Sequence, residues 1–64
     1  MKYDEKVIMV TKEGIKGHIG IGYFSAKRGS VIYPIQFDEI GMYYVFESTI
    51  DMNIGNGNYT LITD

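Results

Sequence analysis

The clearest pattern in the chain is the alternation from Val31 to Phe37. Val31, Tyr33, Ile35 and Phe37 point one way, and Ile32, Pro34 and Gln36 the other. A period of two predicts a half-buried strand whose odd positions face a core. Pro34 has no N–H to donate, so its position is expected on an unpaired side or at a bulge. Before it, Lys6 to Lys12 predicts a first strand, with Ile8 and Val10 on one face and Val7, Met9 and Thr11 on the other. Ile15 to Ala26 predicts a long second strand whose apolar face is Ile15, Gly17, Ile19, Ile21 and Tyr23. Glycines at 14, 17, 20 and 22 lack a side chain to pack and predict that this strand curls sharply. Met42 to Glu47 is apolar on both faces and predicts a fourth strand; Tyr59 to Thr63 predicts a last one.

Turn residues punctuate these segments every eight to twelve positions, which is the spacing of an all-β domain. Glu13-Gly14, Lys27-Arg28-Gly29-Ser30 and Asp38-Glu39-Ile40-Gly41 supply the turns, with Gly29 available for positive φ. Asn56-Gly57 reads as a hairpin turn that needs positive φ. Helix has little support, because Tyr, Ile, Val and Thr favour strands. Ser48 to Asn53 admits one short helical turn. The expected architecture is therefore a single all-β domain over residues 1–64, five antiparallel strands curled into a small barrel.

Length sharpens this expectation. A domain of 64 residues buries only about 60% of its unfolded surface and has a thin stability margin. The chain has no cysteine, so neither disulfides nor thiolate metal sites can help it. A compact apolar core, self-association, or both must hold it together. No run approaches the roughly 18 apolar residues of a membrane span. Four apolar residues, Val7 to Val10, are too few for a secretory signal, so a cytoplasmic location is expected.

Residues 13–22, Glu-Gly-Ile-Lys-Gly-His-Ile-Gly-Ile-Gly, carry a Lys16-Gly17-His18-Ile19-Gly20 core after a strand and a tight turn. This stretch resembles the KOW motif of SH3-like barrels. Downstream, Tyr33-Pro34-Ile35-Gln36-Phe37-Asp38, then Gly41, Tyr44, Val45 and Glu47, looks like the second half of such barrels. The resemblance covers about residues 6–52. It implies a small SH3-like barrel and, as one function, nucleic-acid binding. It also implies a second kind of role, since small barrels of this type recur as regulators or inhibitors in bacteria and their phages. The sequence departs from the KOW pattern at Gly22, where an aliphatic residue is usual. It also lacks Trp and a basic surplus.

Candidate chemistry is sparse. Nucleophilic catalysis needs a base oriented beside Ser, Cys or Thr. The only imidazole, His18, is expected on the solvent side, opposite Ile15, Ile19 and Ile21. No catalytic residue, cofactor, metal or small-molecule substrate is expected. Asp51 to Gly57 fails as a calcium loop, since Gly55 stands where a ligand is needed and no glutamate closes it.

Two binding surfaces remain. Nucleic acid would be met by Lys12, Lys16, His18, Lys27 and Arg28, with Tyr23 or Tyr43 stacking on bases. The net charge of −2 works against this. All six Lys/Arg lie in residues 1–32, but an antiparallel meander sets acids beside them, Asp38 and Glu39 at one end and Glu47 and Asp51 at the other.

The second surface is aromatic. Met42-Tyr43-Tyr44-Val45-Phe46 cannot all point inward. Either Tyr43 and Val45, or Met42, Tyr44 and Phe46, must lie outside. With Phe24 and Ile32 they form a candidate partner-binding patch of Phe24, Ile32, Tyr43, Tyr44 and Phe46. The leading expectation is a non-enzymatic binding module that docks a protein partner or a second copy of itself.

Overall fold

The computed structural model describes residues 1–63. Its central strand is β4 (Ser30–Phe37), the segment with the cleanest alternation. Tyr33, Ile35 and Phe37 are buried in the core and Val31 packs against it, as the period of two predicts. A tight turn leads to β5 (Gly41–Phe46), which pairs antiparallel with β4. Glu39 (φ 64°) and Gly41 (φ 129°) take positive φ in that turn.

On its other side β4 meets β2 (Ile15–Ile19) and β3 (Tyr23–Ser25). β2 pairs with β1 (Val7–Val10), and β1 pairs with β6 (Tyr59–Leu61). Every pairing is antiparallel. Among the described residues no ladder joins β5 to β6, so the sheet does not close into a barrel.

The described strands number six, where five were expected. The expected long second strand is broken at Gly20-Ile21-Gly22. Its first part pairs Ile19 with Ile35, and its second part pairs Tyr23 with Ile32. Gly20, Ile21 and Gly22 therefore stand opposite only Tyr33 and Pro34. One extra residue on one strand is a β-bulge, and it reverses which face each later side chain takes. Ile21 and Tyr23, expected in the core, are consequently exposed.

The glycines serve packing at this break. A Cβ on Gly22 would stand 2.5 Å from the Tyr33 ring, and one on Gly17 would stand 2.8 Å from the Phe37 ring. Pro34 fits the same device. Its carbonyl accepts the Gly20 N–H at 2.8 Å, so the side of Pro34 that lacks a donor faces the bulge.

Residues 47–55 are the second departure. They form α1 (Glu47–Gly55), nine residues rather than one turn. Ile50 is its buried residue and Ile54 packs alongside. Fully burying a side chain such as Ile8, Ile35 or Ile50 contributes about 1.5–3 kcal/mol, a large share for so small a domain. Asn56-Gly57 does not make a hairpin turn. The Asn56 and Gly57 N–H groups cap the helix carbonyls of Met52 and Ile54, and Gly57 takes φ +85°. No helix among the described residues is long and apolar enough to cross a membrane.

The first six residues fold over one end of the core. Tyr3 is buried, with its ring edge-on to Tyr33 at 5.6 Å between centroids. The charged look of this segment gave no hint that it supplies a core aromatic.

Candidate functional site

The outer face of the sheet is set by β4 and its neighbours. Directly paired residues share a face. Tyr23, Ile32 and Phe46 therefore form one row across β3, β4 and β5. Pro34 and Tyr44 form the next row, where Gly20 leaves the Pro34 ring uncovered, since a Cβ at Gly20 would lie 3.0 Å from Pro34 Cγ. His18, Gln36 and Met42 form the third. Ile32 belongs to this outer face yet is only 8% exposed, flanked by Tyr23 and Phe46. Tyr23, Met42, Tyr44 and Phe46 are exposed. The result is an apolar outer surface that becomes polar toward His18 and Gln36.

Of the expected patch, Ile32, Tyr44 and Phe46 come together here. Tyr43 and Phe24 do not. Tyr43 pairs with Ile35 on the inner face and sets its ring 6.0 Å from that of Phe37. Phe24 pairs with inward Val31 because the bulge has reversed its phase, although its ring stays exposed at the end of the sheet. Tyr23 and Pro34 join in their place. The choice left open along β5 falls to Met42, Tyr44 and Phe46 outside, with Val45 packed on the core. Tyr23 could have been found only by counting the extra residue at the bulge.

The basic residues are not gathered. Lys16 lies beside Asp38, whose N–H donates to the Lys16 carbonyl at 2.9 Å. His18 is exposed, with Nε2 3.6 Å from Asp38 Oδ1. Lys12 is in the turn after β1, and Lys27 and Arg28 are in the turn before β4. The Lys16 and Arg28 ends are separated by the length of β4, roughly 25 Å at about 3.3 Å per residue. No continuous basic stripe links these five side chains.

A second polar cluster, unforeseen from the sequence, ties the first six residues to α1 and the bulge. The Tyr33 hydroxyl donates to Glu47 Oε2 at 2.6 Å and accepts the Tyr3 N–H at 3.2 Å. The Tyr3 hydroxyl donates to Asp51 Oδ1, which also accepts from Lys2 Nζ at 2.7 Å. Asp4 Oδ1 accepts the Gly22 N–H at 2.8 Å. Burial, reinforced by the bond to Glu47, pushes the Tyr33 phenol up to about 12. Burial and the Asp51 bond raise Tyr3. Lys2 and then Tyr3 hold Asp51 below the ordinary carboxylate range. The N-terminal ammonium and then Gly22 do the same for Asp4. Each shift has a structural cause, and each bond fastens the chain to itself.

No pocket is present among the described residues, nor any group of three or more His, Asp or Glu placed to hold a metal. Comparison with protein-family models, curated proteins and solved structures finds no match to this chain.

Proposed function

We propose that this chain is a small non-enzymatic binding module, an open SH3-like barrel acting in the cytoplasm, that docks a protein partner on the outer face of its sheet. The observation that carries this reading is the cluster of Tyr23, Ile32, Pro34, Met42, Tyr44 and Phe46 on one face of a 64-residue domain. Exposed apolar patches of this kind mark interaction surfaces, and Tyr, Phe and Met are enriched in them. The β2/β3 ribbon, interrupted by a bulge along β4, and the helix between the last two strands support the SH3-like reading. The resemblance to small stand-alone barrels implies a regulatory or inhibitory accessory role of bacterial or phage type, whereas the KOW-like stretch implies nucleic-acid binding. Phosphate contact is the weaker reading, because the bases are spread over opposite ends of β4 and Asp38 lies beside two of them.

Affinity capture from a lysate of the source cells tests this, with wild type and a Tyr23→Ser/Tyr44→Ser variant as baits and with nuclease present or absent. The expected result is a protein retained by wild type through nuclease, lost with the variant, and rebinding purified wild type saturably. Retention that nuclease abolishes, or that the variant leaves intact, overturns the proposal.

A further inference from the structure

β5 is an edge strand. It pairs with β4 on one side only, and on its other side no strand among the described residues lies against it. The Pro34 carbonyl faces β2/β3, where it accepts the Gly20 N–H, so even positions of β4 hydrogen-bond toward that side. The Asp38 N–H, donated to Lys16 of β2, has the same phase. Odd positions, Tyr33 and Ile35, therefore bond to their partners Val45 and Tyr43. By the same alternation, the N–H and C=O groups of Met42 and Tyr44 and the N–H of Phe46 point to the open edge, while the Phe46 carbonyl begins the hydrogen-bond ladder of α1. These three are also the β5 residues whose side chains lie on the outer apolar face.

Natural edges are usually blunted by brevity, charge or proline. The other strands with a single neighbour, β3 and β6, are three residues long each. β5 has six residues, Gly41 to Phe46, with no charge and no proline. From this we infer that β5 pairs antiparallel with β5 of a second copy about a twofold axis at Tyr44. The inference rests on the reading of the outer face as part of an interaction surface: a second copy on the β5 edge leaves that face open and doubles its length.

A twofold perpendicular to the sheet keeps each face continuous only when residues of the same parity are paired. Centring it on Tyr44 sets Tyr44 against Tyr44 and Met42 against Phe46. The Tyr44 pair can exchange both hydrogen bonds, and each Phe46 N–H can donate to the Met42 carbonyl of the other copy, while the Phe46 carbonyl is already taken by the first turn of α1. The outer row Pro34–Tyr44 then runs on into the same row of the other copy. Charge is also compatible. The nearest acid, Glu47, falls opposite Gly41, and its carboxylate is already bonded to the Tyr33 hydroxyl. No like charges meet along the strand.

Area sets the strength. Tyr44, Tyr43 and Phe46 are 67%, 54% and 36% exposed. With about 150–250 Å² for a whole aromatic side chain, they offer about 300 Å² per copy. Two copies fall short of the roughly 1,200–2,000 Å² of a stable interface. The dimer is therefore weak and exchanging, with Kd on the order of 0.1 mM.

The test combines sedimentation equilibrium with amide hydrogen exchange from about 10 μM to about 1 mM protein. Wild type is expected to move from monomer to mostly dimer. Exchange at Tyr44 and Phe46 slows about fivefold at the upper concentration, the share then paired at that Kd. Exchange at Tyr43 and Val45, already bonded to β4, does not change with concentration. Tyr44→Lys sets two like charges at the axis and keeps the protein monomeric, with protected Tyr43 and Val45 amides reporting that it still folds. Met52→Gln, exposed on α1 and away from both the outer face and the edge strand, still dimerises. A wild-type monomer at the upper concentration overturns the inference. So does a dimer that leaves the Tyr44 and Phe46 amides unchanged, or edge protection that needs a different protein. If wild type stays monomeric while capture of a partner still depends on Tyr23 and Tyr44, self-pairing fails and the binding-module reading survives.

Discussion

The Tyr33 ring occupies the space a side chain at residue 22 would need: a Cβ on Gly22 would stand 2.5 Å from Tyr33 Cε2. The bulge turns Gly22 inward against a fully buried ring that is edge-on to Tyr3 and hydrogen-bonded at its hydroxyl. Tyr33 has nowhere to retreat. Gly22→Ala should therefore destabilise the domain by about 1–3 kcal/mol, the usual cost of overpacking a core. Gly55→Ala is the control, since nothing lies within 4 Å of that position and its φ is not positive. It should change stability by no more than about 0.5 kcal/mol. Urea unfolding of the two variants measures both values, and equal midpoints would refute the packing argument.

The same glycine shows where the sequence was readable and where it was not. β4 was legible because its odd positions are large and apolar, so alternation and burial agree. The Ile19-Gly20-Ile21-Gly22-Tyr23 run also alternates, but the alternation misleads. What decides its facing is the extra residue opposite Tyr33 and Pro34, a property of pairing that no single strand reveals. The outer face was half legible for this reason: Ile32, Tyr44 and Phe46 follow from local alternation, while Tyr23 and Phe24 exchange roles across the bulge. α1 announced itself weakly. It has no side-chain cap at its start, where Phe46 precedes it, and only Ile50 and Ile54 mark its inner side. Tyr3 was hidden among charges whose partners, Asp51 and Gly22, are distant in sequence.

Ile50 is fully buried and is the main attachment of α1 to the core. Truncating a buried isoleucine costs about 2–5 kcal/mol through lost transfer energy and the cavity left behind. Ile50→Ala should fall in that range, and Ile54→Ala, only partly buried, should cost about half as much. α1 also packs against β6, so the larger loss should be accompanied by faster amide exchange at Tyr59 to Leu61. Equal costs for the two variants, measured by thermal or urea unfolding, would show that the helix is not anchored at Ile50.

The Tyr33 phenol supplies an alkaline signature. Its folded value, about 12, lies above the ordinary value of 10.0, because burial and the Glu47 bond favour the neutral form. An unfolded chain ionises first as pH rises, so the folded state then holds more protons than the unfolded one. Stability is consequently intact below pH 10 and falls as pH climbs from 10 toward 12. Tyr3 and Tyr59, also raised, act in the same direction. Tyr33→Phe should flatten part of that fall. It should also cost about 1–3 kcal/mol at neutral pH, because Glu47 and the Tyr3 N–H lose their shared partner. Unfolding midpoints between pH 8 and 12 check this, and identical slopes for wild type and variant would exclude Tyr33 as the titrating group.

The acid side should loosen the first six residues before the core. Asp4 and Asp51 grip this segment on either side of Tyr3, one through the Gly22 N–H and the other through Lys2 and the Tyr3 hydroxyl. Both are held below the ordinary value of 3.8. A carboxyl with a depressed folded value contributes stability that is present above the ordinary value and lost as pH falls through the folded one. Below pH 3.8 both carboxylates gain protons and stop accepting these bonds, while the apolar contacts of Ile8, Ile35 and Ile50 carry no charge to lose. The Gly22 amide resonance should therefore titrate with a midpoint below 3.8. Exchange at Gly22 and Tyr3 should quicken there, while Ile8 and Ile35 stay protected. Asp4→Asn should abolish the Gly22 titration and leave exchange at Ile35 as it was. If all four amides lose protection together as pH falls, the segment is an inseparable part of the core rather than a latch upon it.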